Sequence, residues 1–414
     1  MGSRSFPGHW VTVSTTIFIT VALFALPLQN GAAFAQPPAQ QTPATHVPSP
    51  TPTPAASPPA PTYTRRINLG FAFLGDYTWF WQDQTNLNQV GEQHDQAQLR
   101  AARVILASNF SPAVNWYVAA NYNGLDRTPD EPLFGLYDMY IGFPIKSIGR
   151  LQIGKQKETY GYEMVALAAN LPSLERVILP FYQSRSWGVD LSNTALNKHM
   201  TWAAGLYEID KSSNQASARL TAVPLLSANR QNYLHFGADY RYRGASNGLL
   251  RFQGKPQSDI ASFYVDTGNF PGKYANELNY EFLATHGGLT FLSEYSRAWV
   301  NAPEVGNPNF YGYYFVGSWV LTGENRPYDT NAGYATRIIP MKPSGAYEFV
   351  VQYSRVNLSD AGVSGGTQGL GWVGFNWWQT PYWKYSLGYG TAGLTRFDSF
   401  GQMHRIQLRI QYLH

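Results

Sequence analysis

The chain has 414 residues, no Cys, 15% aromatic residues and 14% charged ones, where a soluble protein carries about 25% charged residues. Without Cys there is no disulfide scaffold, iron–sulfur cluster, Cys-ligated zinc or thiol nucleophile, and a dispersed net charge of +4 is too small for a nucleic-acid-binding surface. The 44% hydrophobic fraction supplies a core or a lipid-facing wall, which excludes a wholly disordered chain.

Residues 1–35 read as an export signal. Arg4 is the positive end, Val11 to Leu26 the apolar stretch, and Ala33-Phe34-Ala35 the small-x-small cleavage pattern, so the mature chain is expected to begin at Gln36. No later stretch offers about 18 consecutive apolar residues, so no transmembrane helix follows. Residues 36–63 hold ten prolines in 28 positions, a composition that blocks helix and ladder alike and predicts an extended periplasmic linker.

From residue 64 to the end the period is two. Ile67, Leu69, Phe71, Phe73, Tyr77, Trp79 and Trp81 alternate with Asn68, Asp76, Thr78 and Gln82, so one face is apolar and the other polar. The same split recurs in Tyr347, Phe349, Val351 and Tyr353 against Glu348, Gln352 and Ser354, and in Ile406, Leu408, Ile410 and Tyr412 against Arg405, Gln407, Arg409 and Gln411. Short turns (109–113, 144–149, 229–232, 286–288, 379–382) separate strands at one rim. Longer connections (82–96, 124–132, 158–186, 244–259, 301–308, 326–335) are expected at the other.

A soluble sandwich also alternates, and a secreted carbohydrate-binding or hydrolytic β-sandwich is the alternative reading. The location of the aromatics decides between them. Tyr and Trp cluster at stripe ends, as in Trp377, Trp378, Tyr382 and Trp383, the pattern of interfacial girdles. Sheet backbone in lipid must close on itself. The all-β reading is therefore a transmembrane antiparallel barrel in a Gram-negative outer membrane. Its 351 residues give roughly 14 to 18 strands, an even number, around a water-filled lumen.

Chemistry-bearing motifs are lacking. His94, His199, His235, His286, His404 and His414 have no zinc spacing. Gly369, Gly371 and Gly374 match GxGxxG but lie in a strand pattern with no following helix. No cofactor, metal or enzymatic activity is expected.

The stretches LRAARVILASN (99–109), LYDMYIGF (136–143), LQIGKQKETYGYEM (151–164), LERVI (174–178), FYGYYFVGSWVLTGENRPY (310–328), GAYEFVVQYSRVNLSD (345–360) and GFNWWQ (374–379) resemble the phosphate-selective porin O and P family. The resemblance implies 16 strands, a homotrimer, and a third loop, here Glu158 to Ser186, folded inward as a constriction. It also implies outer-membrane lipid and the barrel assembly machinery as partners. Such barrels usually end on an aromatic residue, and this chain ends on His414. The family's paired constriction arginines fall on Arg100 and Ala101, and its constriction acid on Asp138. The loop lysines of the phosphate porins fall on Met164 and on Ala169 or Asn170, so they are missing. Lys155, Lys157 and Glu163 mark the base of the third loop.

On the face opposite the aromatic stripe stand Arg100, Arg150, Arg219, Arg241, Arg243, Arg405 and Arg409. Asp76, Asp138, Asp190, Asp239, Glu281, Glu294 and Glu348 share that face. Seven against seven predicts no net field, hence a passive porin with weak anion preference, for phosphate or polyphosphate at most. Parity turns Arg103 away from the lumen unless a bulge intervenes, so Arg100 is expected to matter more than Arg103 for anion preference.

Overall fold

The computed structural model describes residues 67–111, 113–122 and 134–414; the expected signal peptide, the whole linker and the 124–132 connection lie outside them. Sixteen antiparallel strands close into one barrel. They are β1 (Asn68–Gln82), β2 (Gln96–Asn109), β3 (Asn115–Tyr122), β4 (Phe134–Ile145), β5 (Gly149–Lys157), β6 (Arg185–Ala195), β7 (Met200–Asp210) and β8 (Ser213–Leu226). The second half runs β9 (Tyr233–Gly244), β10 (Tyr274–His286), β11 (Leu289–Asn301), β12 (Asn309–Val320), β13 (Ala346–Asp360), β14 (Val363–Trp378), β15 (Trp383–Arg396) and β16 (Ser399–Leu413). Closure pairs β1 with β16, placing Asp76 opposite Arg409, and His414 exchanges main-chain hydrogen bonds with Phe71.

Along β1, β13 and β16 the predicted faces hold. Phe71, Phe73, Phe349, Val351, Tyr353, Leu408 and Ile410 are exposed on the outside, while Asp76, Thr78, Glu348, Gln352, Arg405 and Arg409 are buried inside. An apolar exterior around a polar interior is stable only when lipid covers it, which removes the soluble sandwich. No helix among the described residues is long and apolar enough to cross a membrane.

The rims differ from expectation in two ways. Residues 211–212, 361–362 and 397–398 are two-residue hairpins on the long-loop rim. Conversely, the 25-residue connection 321–345 joins β12 to β13 on the short-turn, periplasmic rim, where sequence had placed its 326–335 portion with the long loops. Strand order decides this, since each hairpin reverses the chain. The first long connection also holds a helix that periodicity missed, α1 (Gln84–Val90). The Asp83 carboxylate accepts the Asn86 N–H at 2.7 Å at its start, and Gly91 ends it at φ +80°.

The lumen is mostly filled, contrary to an open water-filled bore. The third loop, 158–184, and the connection 245–273 descend from the outer rim, and 321–345 rises from the periplasmic one. Phe181 of the third loop and Phe252 and Phe270 of the 245–273 connection pack with Phe310 of β12 as one aromatic cluster, so the core of this protein lies inside the barrel.

Candidate functional site: a cation-rich passage beside the third loop

The third loop crosses the lumen because the far wall supplies partners for its backbone. Its single-turn helix α2 (Tyr162–Val165) rests on Glu294 of β11, whose carboxylate accepts the N–H groups of Tyr162 at 2.6 Å and Glu163 at 3.2 Å. The hydroxyls of Tyr182 and Tyr314 donate to the same carboxylate. Farther along, the loop's carbonyls meet a row of donors. Gln411 reaches Ala169, Arg326 reaches Asn170, Lys384 reaches Leu171, Asn376 reaches Pro172 and Arg409 reaches Leu174. Buried carbonyls need such partners, and these cationic and amide side chains hold the loop in place.

From the opposite rim, 321–345 closes on the same loop. Tyr162 Oη accepts the Ala335 N–H at 3.0 Å, and Arg219 donates to the carbonyls of Ala332 and Gly333. Gly333 is required there. It sits at φ +67°, and a Cβ would lie 2.6 Å from Thr201 Oγ1.

Several predicted lumen charges are consumed in these closed networks. Arg241 is fully buried, paired with Glu158 at 3.1 Å and Glu277 at 2.5 Å, and donates to the Phe181 carbonyl. Arg243 shares Glu277 and lies over the Phe252 ring, with one side on an outer vestibule of about 380 Å³. Arg219 pairs with Glu281 and Asp239, and Arg326 with Glu348. Arg405 is buried at 5.2 Å over the Trp372 ring, and its guanidinium has no hydrogen-bond partner among the described residues. Arg241 and Arg405 therefore line no open path, which corrects their assignment as pore residues. Glu163 turns inward on its own loop and accepts the Val177 N–H at 2.7 Å. Burial, then the Glu294 charge, pushes its carboxyl well above the usual range.

The open space lies on the other side of the loop, a cavity of about 450 Å³ against β1–β6 and β16. Six cationic side chains line it, Arg100, Arg103, Lys157, Arg176, Arg185 and Arg409, against the carboxylates of Asp138 and Glu175. Two bulges build this wall. Pairing between β1 and β2 slips at Leu74/Gly75, leaving Arg100 unopposed, so residues beyond it change phase and Arg103 points inward. Pairing between β3 and β4 slips at Ala119/Ala120, leaving Tyr137 unopposed. The guanidiniums of Arg103 and Arg185 then lie 3.4 and 3.6 Å from the Tyr137 ring centroid.

Parity alone misassigned Arg103, although the sequence carried the signal. The outward apolar phase is odd at Leu99 and even at Val104 and Leu106. It is even at Leu136 and odd at Met139 and Ile141. Each change of phase marks a bulge.

Asp138 faces inward as predicted and accepts from Arg185 at 3.1 Å. Arg100 is held by Glu175 at 2.9 Å and Asp259 at 3.7 Å, and Arg409 by Asp76 and Glu175. Burial pushes the Glu175 carboxyl up, the Arg100 and Arg409 guanidiniums pull it down harder, and it lies at about 2. Lys157 donates only to the carbonyls of Val165 and Ala166, and Arg176 to the Glu163 carbonyl. Among the described residues, Arg103, Lys157 and Arg176 thus have no carboxylate within salt-bridge distance. Lys155 is on the outer face between Met139 and Trp187, and its ammonium donates to the Leu136 carbonyl, so it does not line the passage.

A lipid-facing closed barrel narrowed by an infolded third loop defines an outer-membrane diffusion porin. The chain belongs to the phosphate-selective porin O and P family, whose model matches residues 71–413. A sequence search of curated proteins returns no match. Among solved structures, it is similar to the trimer form of in-vitro folded OmpT from Vibrio cholerae, with 10% identity, 85% of this chain and 100% of that one covered, and a TM-score of 0.54. It is also similar to an anion-selective porin from Comamonas acidovorans, with 8% identity, 85% and 100% coverage, and a TM-score of 0.54. A third is OmpF of Salmonella typhi in complex with daunomycin, with 9% identity, 84% and 97% coverage, and a TM-score of 0.51.

Proposed function

We propose that this porin passes small solutes with a preference for anions, and that the anions cross between the third loop and the β1–β6 wall. The observation that carries this reading is the excess of six cations over two carboxylates along one cavity. Three of those cations are bonded only to neutral oxygens. A cation held in a narrow, low-dielectric place attracts a passing anion far more strongly than the same charge in open water. Tight inorganic phosphate binding is disfavoured, because the loop positions that would carry lysines are Met164 and either Ala169 or Asn170.

The chain is further proposed to be made with a signal ending at Ala35 and to assemble as a homotrimer, as the trimeric OmpT structure suggests. Reversal potentials in a KCl gradient across planar bilayers test the central reading. Chloride preference is expected, and a cation preference overturns it.

A further inference from the structure

The cation-rich cavity has two unlike sides. The barrel wall contributes Arg103, Arg185 and Asp138 with the Tyr137 ring, and the stacked pair Tyr117 and Tyr140, 5.1 Å apart and 8° from parallel. The loop side contributes Val165, Leu167, Ala168, Ala169 and Leu174, with Glu175 and Arg176 beyond them. From Val165 to Ala169 no side chain can donate a hydrogen bond, and the nearby carbonyls of Ala169 and Leu174 are already occupied by Gln411 and Arg409.

An inorganic anion squeezed between these sides loses its water on both and regains hydrogen bonds on one, which is costly. A solute with one anionic group and an apolar body matches both. Guanidiniums flattened on Tyr137 turn their N–H edges away from the ring; Arg185 gives one of these to Asp138 and Arg103 one to Asn121, which leaves the others for an oxyanion, and Arg103 Nε is buried without a partner. The 450 Å³ volume falls in the range of small-molecule sites, about 300–1,000 Å³ with mostly apolar lining and a few placed polar groups. A space of about 150 Å³ already admits a benzene ring.

We infer that the cavity is a selectivity site for organic anions with an aromatic or comparably apolar body, such as aryl sulfonates and aryl carboxylates, in preference to inorganic oxyanions. The inference rests on the anion-passing reading above, and gives it a substrate class. The charged group sits at Arg103 and Arg185, and the apolar body lies along Leu167 to Ala169.

The test uses the full-length porin in planar bilayers at pH 7 in KCl, with benzenesulfonate, methanesulfonate or inorganic phosphate added as blockers of the chloride current. The two sulfonates carry the same permanently charged group and differ only in the body. Half-block by benzenesulfonate is expected at about one tenth of the methanesulfonate concentration, the scale set by burying one face of a ring, and below the phosphate concentration.

Equal half-block by the two sulfonates overturns the inference, as does tighter block by phosphate. The KCl reversal potential of the same channels separates the two readings. If it still shows anion preference, only the substrate class has failed; if it shows cation preference, both fall. The double variant Leu167→Ser with Ala169→Ser should bring the ratio of the sulfonates close to one, and Ala169→Lys should shift preference toward phosphate. Leu167 is 44% exposed, so folding is not at stake, and retained heat-modifiable gel migration checks it. An unchanged ratio in the folded serine variant also overturns the inference.

Discussion

The two sides of the lumen use the same residue types for opposite ends. From β8 to β14 the charges form closed sets, with Arg241 on Glu158 and Glu277, Arg219 on Asp239 and Glu281, and Arg326 on Glu348. Along β1 to β6, cations outnumber acids, and three are bonded only to neutral oxygens. The charge count from strand parity comes to zero because it leaves out Arg103, Lys157, Arg176 and Arg185, all of which line the cavity, and so it hides both regions. A matched buried pair holds a loop and gives no field to a solute, while an unmatched cation at a cavity gives a field and little stability.

The largest expected effect comes from opening the closed side. Arg241→Ala leaves Glu158 buried without a cation and Glu277 with Arg243 alone, at a cost of about 3–5 kcal/mol. The temperature at which the folded gel band converts to the unfolded one should drop, with little change in ion selectivity of the channels that remain folded. Unchanged thermal conversion would break the distinction between the two sides.

Next in size is the loss of selectivity from the open side. Combined Arg103→Gln, Lys157→Gln and Arg176→Gln should lower the chloride-to-potassium permeability ratio by about tenfold, while the folded band persists. Singly, Arg103→Gln should lower that ratio more than Arg100→Gln, because Arg100 is already neutralised by Glu175 and Asp259. This reverses the order that strand parity implied, and equal effects in the KCl gradient would contradict the facing given to Arg103.

The smallest effect concerns Glu175. Its folded pKa of about 2 lies below an unfolded value of about 4.3. Its contribution to stability is therefore fully present above the unfolded value and is lost as pH falls toward 2. Glu175→Gln at pH 7 should leave Arg100 with Asp259 alone and Arg409 with Asp76 alone, and raise the permeability ratio about twofold. Wild type should approach the variant only as the pH nears 2, and convergence near pH 5 would show that the carboxyl is not so held.

Much of the architecture was legible because the period of two is local. Each strand declares its lipid face through residues such as Phe71, Phe349 and Leu408, and the bounds of the third loop fall within two residues of those read from sequence. The helix α1 was hidden because its seven residues hold only Leu87 and Val90 as aliphatic positions. The site was legible in part. Asp138 kept its inward face, but Arg103 and Tyr137 required attention to a change of phase. Arg241 and Arg405 could not be told from pore residues, since facing inward and lining a path coincide only where the lumen is open.

By itself, the sequence determined the barrel, its two faces, its membrane and the loop that enters it, because alternation, aromatic stripe ends and backbone pairing in lipid act over a few residues at a time. Only the tertiary structure decided which charges are free. Glu158 reaches Arg241, Glu175 reaches Arg100 and Glu294 reaches the third loop across 83, 75 and 112 positions of chain, and the field at a site depends on which of those distant carboxylates arrive there.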